Sequence, residues 1–346
     1  MIGQAESEMS KSGGRIERVH RAMKVMVTGA QGFVGRYVVS DLRRTLVAPA
    51  DILATGRVRV VDDELGPVER LDVTDAATAE KLISGYRPTH IVHLAGMSTI
   101  AAAAADEELA WRVHVFGTLN LARAVIRHAP NCTLMFVGSG QIYGAAAASG
   151  KAMDEETVLA PSNVQMATKA AADLALGALA TEGLKCVRFR PFNHTGPGQS
   201  DKFALPSFAK QIAEIRAGLR PACLQVGDLE AERDFLDARD VAAAYVRAVM
   251  VSDRIPTGTI LNIASGTPRR MRSLLEAMIA ISGVEVSVSY DRSRARPGDI
   301  RRFVGDASKA RRLLDWSPRY LMEETLRDIL QHADESVRSQ PLVQKD

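Results

Sequence analysis

The chain has little cysteine. Three residues, Cys132, Cys186 and Cys223, lie far apart in 346 residues and without metal-ligand spacing. An odd, scattered set excludes a disulfide framework and a cysteine-built metal site, and suits buried thiols in a reducing cytoplasm. No charge of one sign dominates. The formal net charge is +3 with both signs well mixed, which gives electrostatics no handle on nucleic acid or a membrane surface. No apolar run approaches the ~20 residues that span a bilayer. The opening stretch, Met1 to Ala22, is polar and has no apolar h-region, so it is not a secretory signal. It is expected to be a mobile extension, with Met23 as an alternative start. There is no internal repeat.

What is present is a hydrophobic content of 46%, enough for one large core and a smaller lobe. From Lys24 a rhythm begins. "KVMVT" (24–28), "DILATG" (51–56), "VERLDV" (68–73), "HIVHLAG" (90–96), "TLMFVGS" (133–139) and "KCVRFRP" (185–191) are short apolar runs. Between them lie helical patterns, among them 33–44, 107–128 and 163–183. Thr74 and Asp75 suit a helix N-cap. Apolar strands alternating with amphipathic helices predict βαβ units and an α/β fold: a Rossmann-type, doubly wound parallel sheet. After Pro191 the rhythm breaks in "RPFNHTGPGQSDKF", which predicts a loop. The patterns beyond it predict a smaller C-terminal substrate-binding lobe. The expected division is an extension over 1–22, a dinucleotide-binding unit over 23–191, a lobe over 192–335 with crossovers to the first unit, and a tail over 336–346. The alanine run at 101–105 is expected at a helix start, and that at 145–148 in a loop.

"TGAQGFVG" (28–35) is the strongest local motif. Gly29, Gly32 and Gly35 follow a strand and open a helix. Gly29 permits a tight turn, Gly32 lets backbone N–H groups approach a pyrophosphate, and Gly35 permits close packing of helix on sheet. Thr28, Gln31, Phe33 and Val34 complete the turn. Cofactor choice is read after the second strand. Arg57 stands there and suits the 2′-phosphate of NADP, while Asp62 and Asp63 nearby leave NAD possible. Asp72 and Val73 follow the third run, where a carboxylate can accept from an adenine amino group. Leu94, Ala95 and Gly96 form a small-residue shelf at the fourth.

These motifs, with "HVFGTLN" (114–120), "GSGQIYG" (138–144), "RPFNHTGPGQ" (190–199), "RDFLDARD" (233–240) and "RPGD" (296–299), resemble the extended short-chain dehydrogenase/reductase family, in its nucleotide-sugar branch. The resemblance covers roughly residues 24 to 330. It implies NADP(H)-dependent chemistry on a GDP-linked nucleotide sugar: reduction of the C4 ketone of GDP-4-keto-6-deoxy-D-mannose to GDP-D-rhamnose. Another sugar-nucleotide reduction or a 4-epimerisation is the alternative. It further implies a homodimer paired through helices 107–128 and 163–183. The family's catalytic Ser and Lys fall on Ser139 and Lys169. Substrate contacts fall on Ser98, Ser139, Gln141, Asn193, Arg233, Arg296 and Asp299, and Phe192 borders the nicotinamide.

Two positions depart from the family pattern. The catalytic Tyr is replaced by Gln165, one helical turn before Lys169 in "PSNVQMATKAAAD". An amide does not titrate. The Asn usual before GTxN is replaced by His114, either a packing residue or a proton relay. The acids that dehydratases carry after the catalytic Ser are here Gly140 and Gln141, which cannot act as acid or base. Three readings of Gln165 stay open: a working reductase with another proton source, an impaired enzyme that still binds its ligands, or an NADP-binding sensor without chemistry.

Overall fold

The computed structural model describes residues 23–46, 52–294 and 300–339. The extension Met1 to Ala22, the candidate substrate residues Arg296 and Asp299, and the end of the chain after residue 339 lie outside the described residues.

Seven strands come first in the chain: β1 (Val25–Thr28), β2 (Ile52–Gly56), β3 (Val60–Asp62), β4 (Gly66–Arg70), β5 (His90–His93), β6 (Thr133–Val137) and β7 (Cys186–Pro191). They form one sheet with β11 (Thr259–Ile263), in the order β11-β7-β6-β5-β1-β2-β4-β3. Every neighbouring pair is parallel except β3 with β4. All four residues of β1 and of β5 are buried, as expected for strands covered on both faces. The chain builds outward from β1 through β2 and β4, then returns to β5 on the other side. The strand order therefore reverses between β1 and β5, the crevice where ligands bind in doubly wound sheets.

Helices α1 (Phe33–Thr45) and α8 (Ala238–Met250) pack on one face of the sheet around Val38, Leu42, Val241 and Tyr245. The other face is covered by α2 (Ala76–Tyr86), α5 (Gly117–His128) and α6 (Val164–Thr181), with Ile83, Leu121 and Leu176 in its core. Asp75 caps α2 by accepting from the backbone N–H groups of Ala77 and Thr78. Short helices α3 (Ile100–Ala105), capped by Thr99, and α4 (Glu107–Trp111) precede a π-helical turn, Arg112–Phe116, that runs directly into α5. The third core gathers α7 (Ala204–Arg216), α9 (Met271–Ser282) and α11 (Met322–Arg338) around Phe208, Leu275 and Leu326.

Several local expectations differ from what is observed. The third apolar run ends as a strand at Arg70, and Pro67 and Gly66 open it where β3 turns back antiparallel; Val60 and Val61 are exposed, so no buried pattern announced β3. Within the expected loop after Pro191, Asn193–Thr195 forms the strand β8, paired with β10 (Glu232–Asp237). The alanines at 145–148 lie in a 3-10 stretch, Gly140–Ser149, rather than an open loop, because Ser139 caps its start. Strand β11 returns to the edge of the large sheet beside β7.

Candidate active site

The glycine turn sits at the end of β1. Gly29 has φ of 68°, and a Cβ there would lie 2.8 Å from the Ala95 backbone nitrogen. A Cβ on Gly35 would lie 2.4 Å from the Gly29 carbonyl oxygen. These are backbone atoms that cannot step aside, so both positions exclude any side chain. Gly32 is the N-cap of α1 and offers no side-chain cap. This leaves a helix N-terminus bounded by backbone alone, a shape and polarity that fit a dinucleotide pyrophosphate. Gln31 packs its amide against Gly56 at the end of the second strand, so a Cβ there would have to displace that flexible side chain. Phe33 lies edge-on to Tyr37 and stacks with His194 at 6.2 Å, and Val34 is partly buried against the core.

Arg57 is exposed just beyond β2. Asp62, the rival for a ribose hydroxyl, is already held: both its oxygens accept from Arg36, at 3.0 and 2.8 Å. The Arg36 guanidinium holds its carboxyl down, to about 2. Asp72 accepts from the backbone N–H and hydroxyl of Thr74, and Val73 is buried beside it. At the end of β5, Ala95 N–H donates to Thr28 Oγ1, which contacts His93 Nδ1 at 2.7 Å. His93 Nε2 meets Thr118 Oγ1, whose hydroxyl donates to the His114 carbonyl. Burial pushes His93 down to about 3, so it is a neutral bridge between strand and helix.

The catalytic candidates converge where β5, β6 and α6 meet. Asn163 caps α6, whose first turns carry Gln165 and Lys169 on one face. Lys169 donates from Nζ to the Gly138 carbonyl at 3.2 Å, next to Ser139. Desolvation lowers Lys169 to about 8. Ser139 Oγ accepts from Gln141 N–H at 3.1 Å and keeps its own proton to donate. Gly140 lies under the Phe192 ring: a Cβ there would approach it to 2.9 Å. Gln165 is buried, and its Nε2 donates to the Met97 carbonyl at 3.1 Å.

His114 lies in the π turn and is buried. Its Nε2 accepts from Met97 N–H at 2.9 Å, which places its proton on Nδ1, 2.7 Å from Thr168 Oγ1. Burial, aided by the Lys169 charge and opposed by the Met97 bond, lowers it to about 4. With one nitrogen occupied as acceptor and no charge at neutral pH, His114 is a satisfied packing residue rather than an open relay. Sequence reading missed Met97 and Thr168. Thr168, three residues after Gln165 in the same helix, was the available clue.

Asn193 lies in β8, in register with Phe235. Arg233 donates from Nη1 to the Ile300 carbonyl at 2.6 Å, and so reaches the end of the segment that contains Arg296. Ser98 is exposed between the Met97 contacts and α3. A second network backs the site. Asp173, one turn after Lys169, is buried and bonded to both Arg188 and Arg190. Arg190 also donates to Tyr143 Oη, whose hydroxyl donates to Asn262. Tyr143 is thus engaged behind the site. Among the described residues no group of three or more His, Cys, Asp or Glu side chains is placed to hold a metal ion. Nor is any helix among them long and apolar enough to cross a membrane.

Residues 26–329 match the family described as GDP-mannose 4,6 dehydratase. The chain is 32% identical over 319 residues to the GDP-6-deoxy-D-mannose reductase of Pseudomonas aeruginosa, covering 92% of this chain and 99% of that protein. It is 27% identical to the UDP-glucose 4-epimerase of Rhizobium leguminosarum bv. trifolii, over 88% of this chain and 95% of that one. Among solved structures, RMD from Pseudomonas aeruginosa complexed with NADPH superposes with a TM-score of 0.78 at 30% identity, covering 91% of this chain and 99% of that one. The glycine turn, the Ser139–Lys169 pairing and these matches place the chain in the GDP-mannose 4,6 dehydratase family of extended short-chain dehydrogenases/reductases.

Proposed function

We propose that the protein reduces the C4 ketone of GDP-4-keto-6-deoxy-D-mannose to GDP-D-rhamnose, with NADPH as the cofactor and NADH as a poorer substitute. The observation that carries this reading is Lys169 held at the Gly138 carbonyl beside the free hydroxyl of Ser139. The name of the Pseudomonas relative and the NADPH in its structural neighbour support the substrate and cofactor. The exposed Arg57, with Asp62 already taken by Arg36, supports a 2′-phosphate over a bare ribose.

NADPH would be held by Gly29, Gly32 and Gly35, with Lys169 toward its ribose, and supplies a hydride when bound. The protein's own task is to polarise the ketone and protonate the oxygen. Ser139 donates to the ketone oxygen. The Lys169 ammonium adds positive charge where the alkoxide develops, in a setting of low dielectric. Gln165 cannot titrate, and His114 is neutral with its acceptor nitrogen occupied. Lys169, lowered to about 8, is then the group in this cluster with a transferable proton near neutral pH.

A 4-epimerase must first take a proton from the C4 hydroxyl; an amide at position 165 offers no base, so Lys169 would have to take it, and 4-epimerisation is the second reading. A dehydratase needs an acid after Ser139, where Gly140 and Gln141 stand. A homodimer is also proposed: Trp111, Phe116 and Leu174 are large exposed apolar side chains on the α4–α5 segment and α6, where a helix pair could meet its symmetry mate. Gel filtration with light scattering tests that point. The catalytic reading is tested by following NADPH oxidation with GDP-4-keto-6-deoxy-D-mannose. Turnover supports it. NADPH binding without affinity for any sugar nucleotide overturns it in favour of a sensor.

A further inference from the structure

We infer that Gln165 and His114 act as one positioning clamp on Met97, which fixes Ser98 for the sugar nucleotide. Gln165 on α6 donates to the Met97 carbonyl, and His114 in the π turn accepts from the Met97 N–H. Both polar groups of one loop residue are therefore gripped, each by one of the two side chains that depart from the family pattern. The two arms are also joined to each other. His114 donates from Nδ1 to Thr168, which donates onward to the Val164 carbonyl, in the same helical turn as Gln165. Gly96 lets the ring lie close: a Cβ there would meet His114 Cδ2 at 3.3 Å. The π turn matters because one extra residue in a helical turn re-aims a side chain, here toward the strand-end loop.

The geometry gives Gln165 a job other than proton transfer. Its amide secures the loop between Gly96 and Thr99, and Thr99 in turn caps α3. Ser98, between the gripped residue and that cap, is exposed and so presented to a ligand. Substrate placement by Ser98 rests on the reductase reading. The clamp itself does not, and the two can be tested apart.

The first test is hydrogen exchange at the Met97 amide in the full chain with NADP+. Gln165→Met keeps length and removes the donor. Gln165→Glu keeps shape and sets a carboxylate against the Met97 carbonyl. The Met97 N–H is bonded to His114, so a clamp acting as one unit predicts faster exchange there in both Gln165 variants, by about tenfold. Exchange that rises only in His114→Phe means independent contacts and overturns the inference. The second test is kinetic. KM for the sugar nucleotide should rise about tenfold in Gln165→Met, by more than kcat changes, while Gln165→Glu, which adds a titratable group, is read by exchange alone. A fall in kcat at constant KM would instead make Gln165 a donor to the reacting oxygen. NADPH affinity, read by its fluorescence, should hold steady in every variant and reports on folding. A wild type without turnover would remove the reductase reading and leave the exchange test of the clamp intact.

Discussion

The glycine turn after β1 and the first turns of α6, the cofactor and catalytic sides of the proposed site, are built on different logic. The turn works through atoms that are missing. At Gly35 a single added carbon would meet the Gly29 carbonyl at 2.4 Å, and nothing nearby can compensate. The α6 site works through side chains that are present, and these can be traded in sets. Gln165 and His114, which the resemblance sets where the family has a Tyr and an Asn, both hold Met97. A steric cradle is therefore specified residue by residue, whereas a hydrogen-bonded site is specified by its network.

The sharpest break of this comparison is Gly35→Ala. NADPH binding should be lost to below detection, and the melting temperature should fall, since overpacking against backbone costs about 1–3 kcal/mol. Gly85 in α2 is the control. A Cβ there meets nothing within 4 Å. Gly85→Ala should leave binding alone and add up to about 1 kcal/mol of stability by helix propensity. Equal losses at both positions would show that the turn is not a steric cradle.

On the other side of the comparison, Lys169→Met should cut turnover by ~10²–10⁴-fold, the range of general acid catalysis. The fold should respond in the opposite sense. Desolvation holds Lys169 at about 8, below its ordinary value, so below that pH the charge is carried at a cost in the native state. Removing it should raise the melting temperature at pH 7 by a few degrees. A drop in both would identify Lys169 as a structural residue. Gln165→Tyr tests the network from the other direction. A phenol restores a titratable donor, and turnover should rise by up to ~10²-fold with NADPH affinity little changed. Unchanged turnover in a folded Gln165→Tyr protein would contradict this account of the position.

The same contrast explains what could be read from the sequence. The parallel strands are legible because they are apolar throughout, and the glycine turn because its spacing sits between a strand and a helix. Strand β3 was not, since Val60 and Val61 face solvent and are held by backbone pairing to β4. Strand β8 hid inside a Gly- and Pro-rich stretch because it is three polar residues held by pairing to β10. At the site, Ser139, Gln165 and Lys169 were found by motif. The grip on Met97 was not, because one partner is backbone and the other depends on a π turn, and neither leaves a residue pattern.

Cofactor preference is a smaller effect. Arg57→Glu should lower the NADPH-over-NADH preference about tenfold, the value of one charge-assisted contact. Arg36→Ala should add to it, since it frees Asp62 for a ribose hydroxyl. If Arg57→Glu leaves the preference unchanged, the 2′-phosphate is read elsewhere.

The smallest expected effect is on acid stability, and it comes from buried histidines in and around the hydrogen-bonded site. Burial holds His90 and His114 down to about 4 and His93 to about 3. In the unfolded chain each titrates near 6.5. Their folded values are depressed, so as pH falls below about 6.5 the unfolded state binds more protons and stability declines, until the folded values are passed near 4. Buried Asp234 and Asp240 and half-buried Glu155 are raised and act in the opposite sense, as does any acid that takes up its proton first in the folded state. Those acids oppose the histidines as pH falls, so the histidine share is read from the substitution below rather than from the raw slope. The melting temperature should fall by a few degrees from about pH 6.5 to about 5.5. Burial lowers His194 as well, so His93→Asn should flatten the histidine part of that slope by about a quarter to a third, after allowance for its own destabilisation. A slope unchanged by the substitution would mean that His93 is charged in the native state. The neutral bridge from Thr28 through Thr118 to the His114 carbonyl would then have to be redrawn.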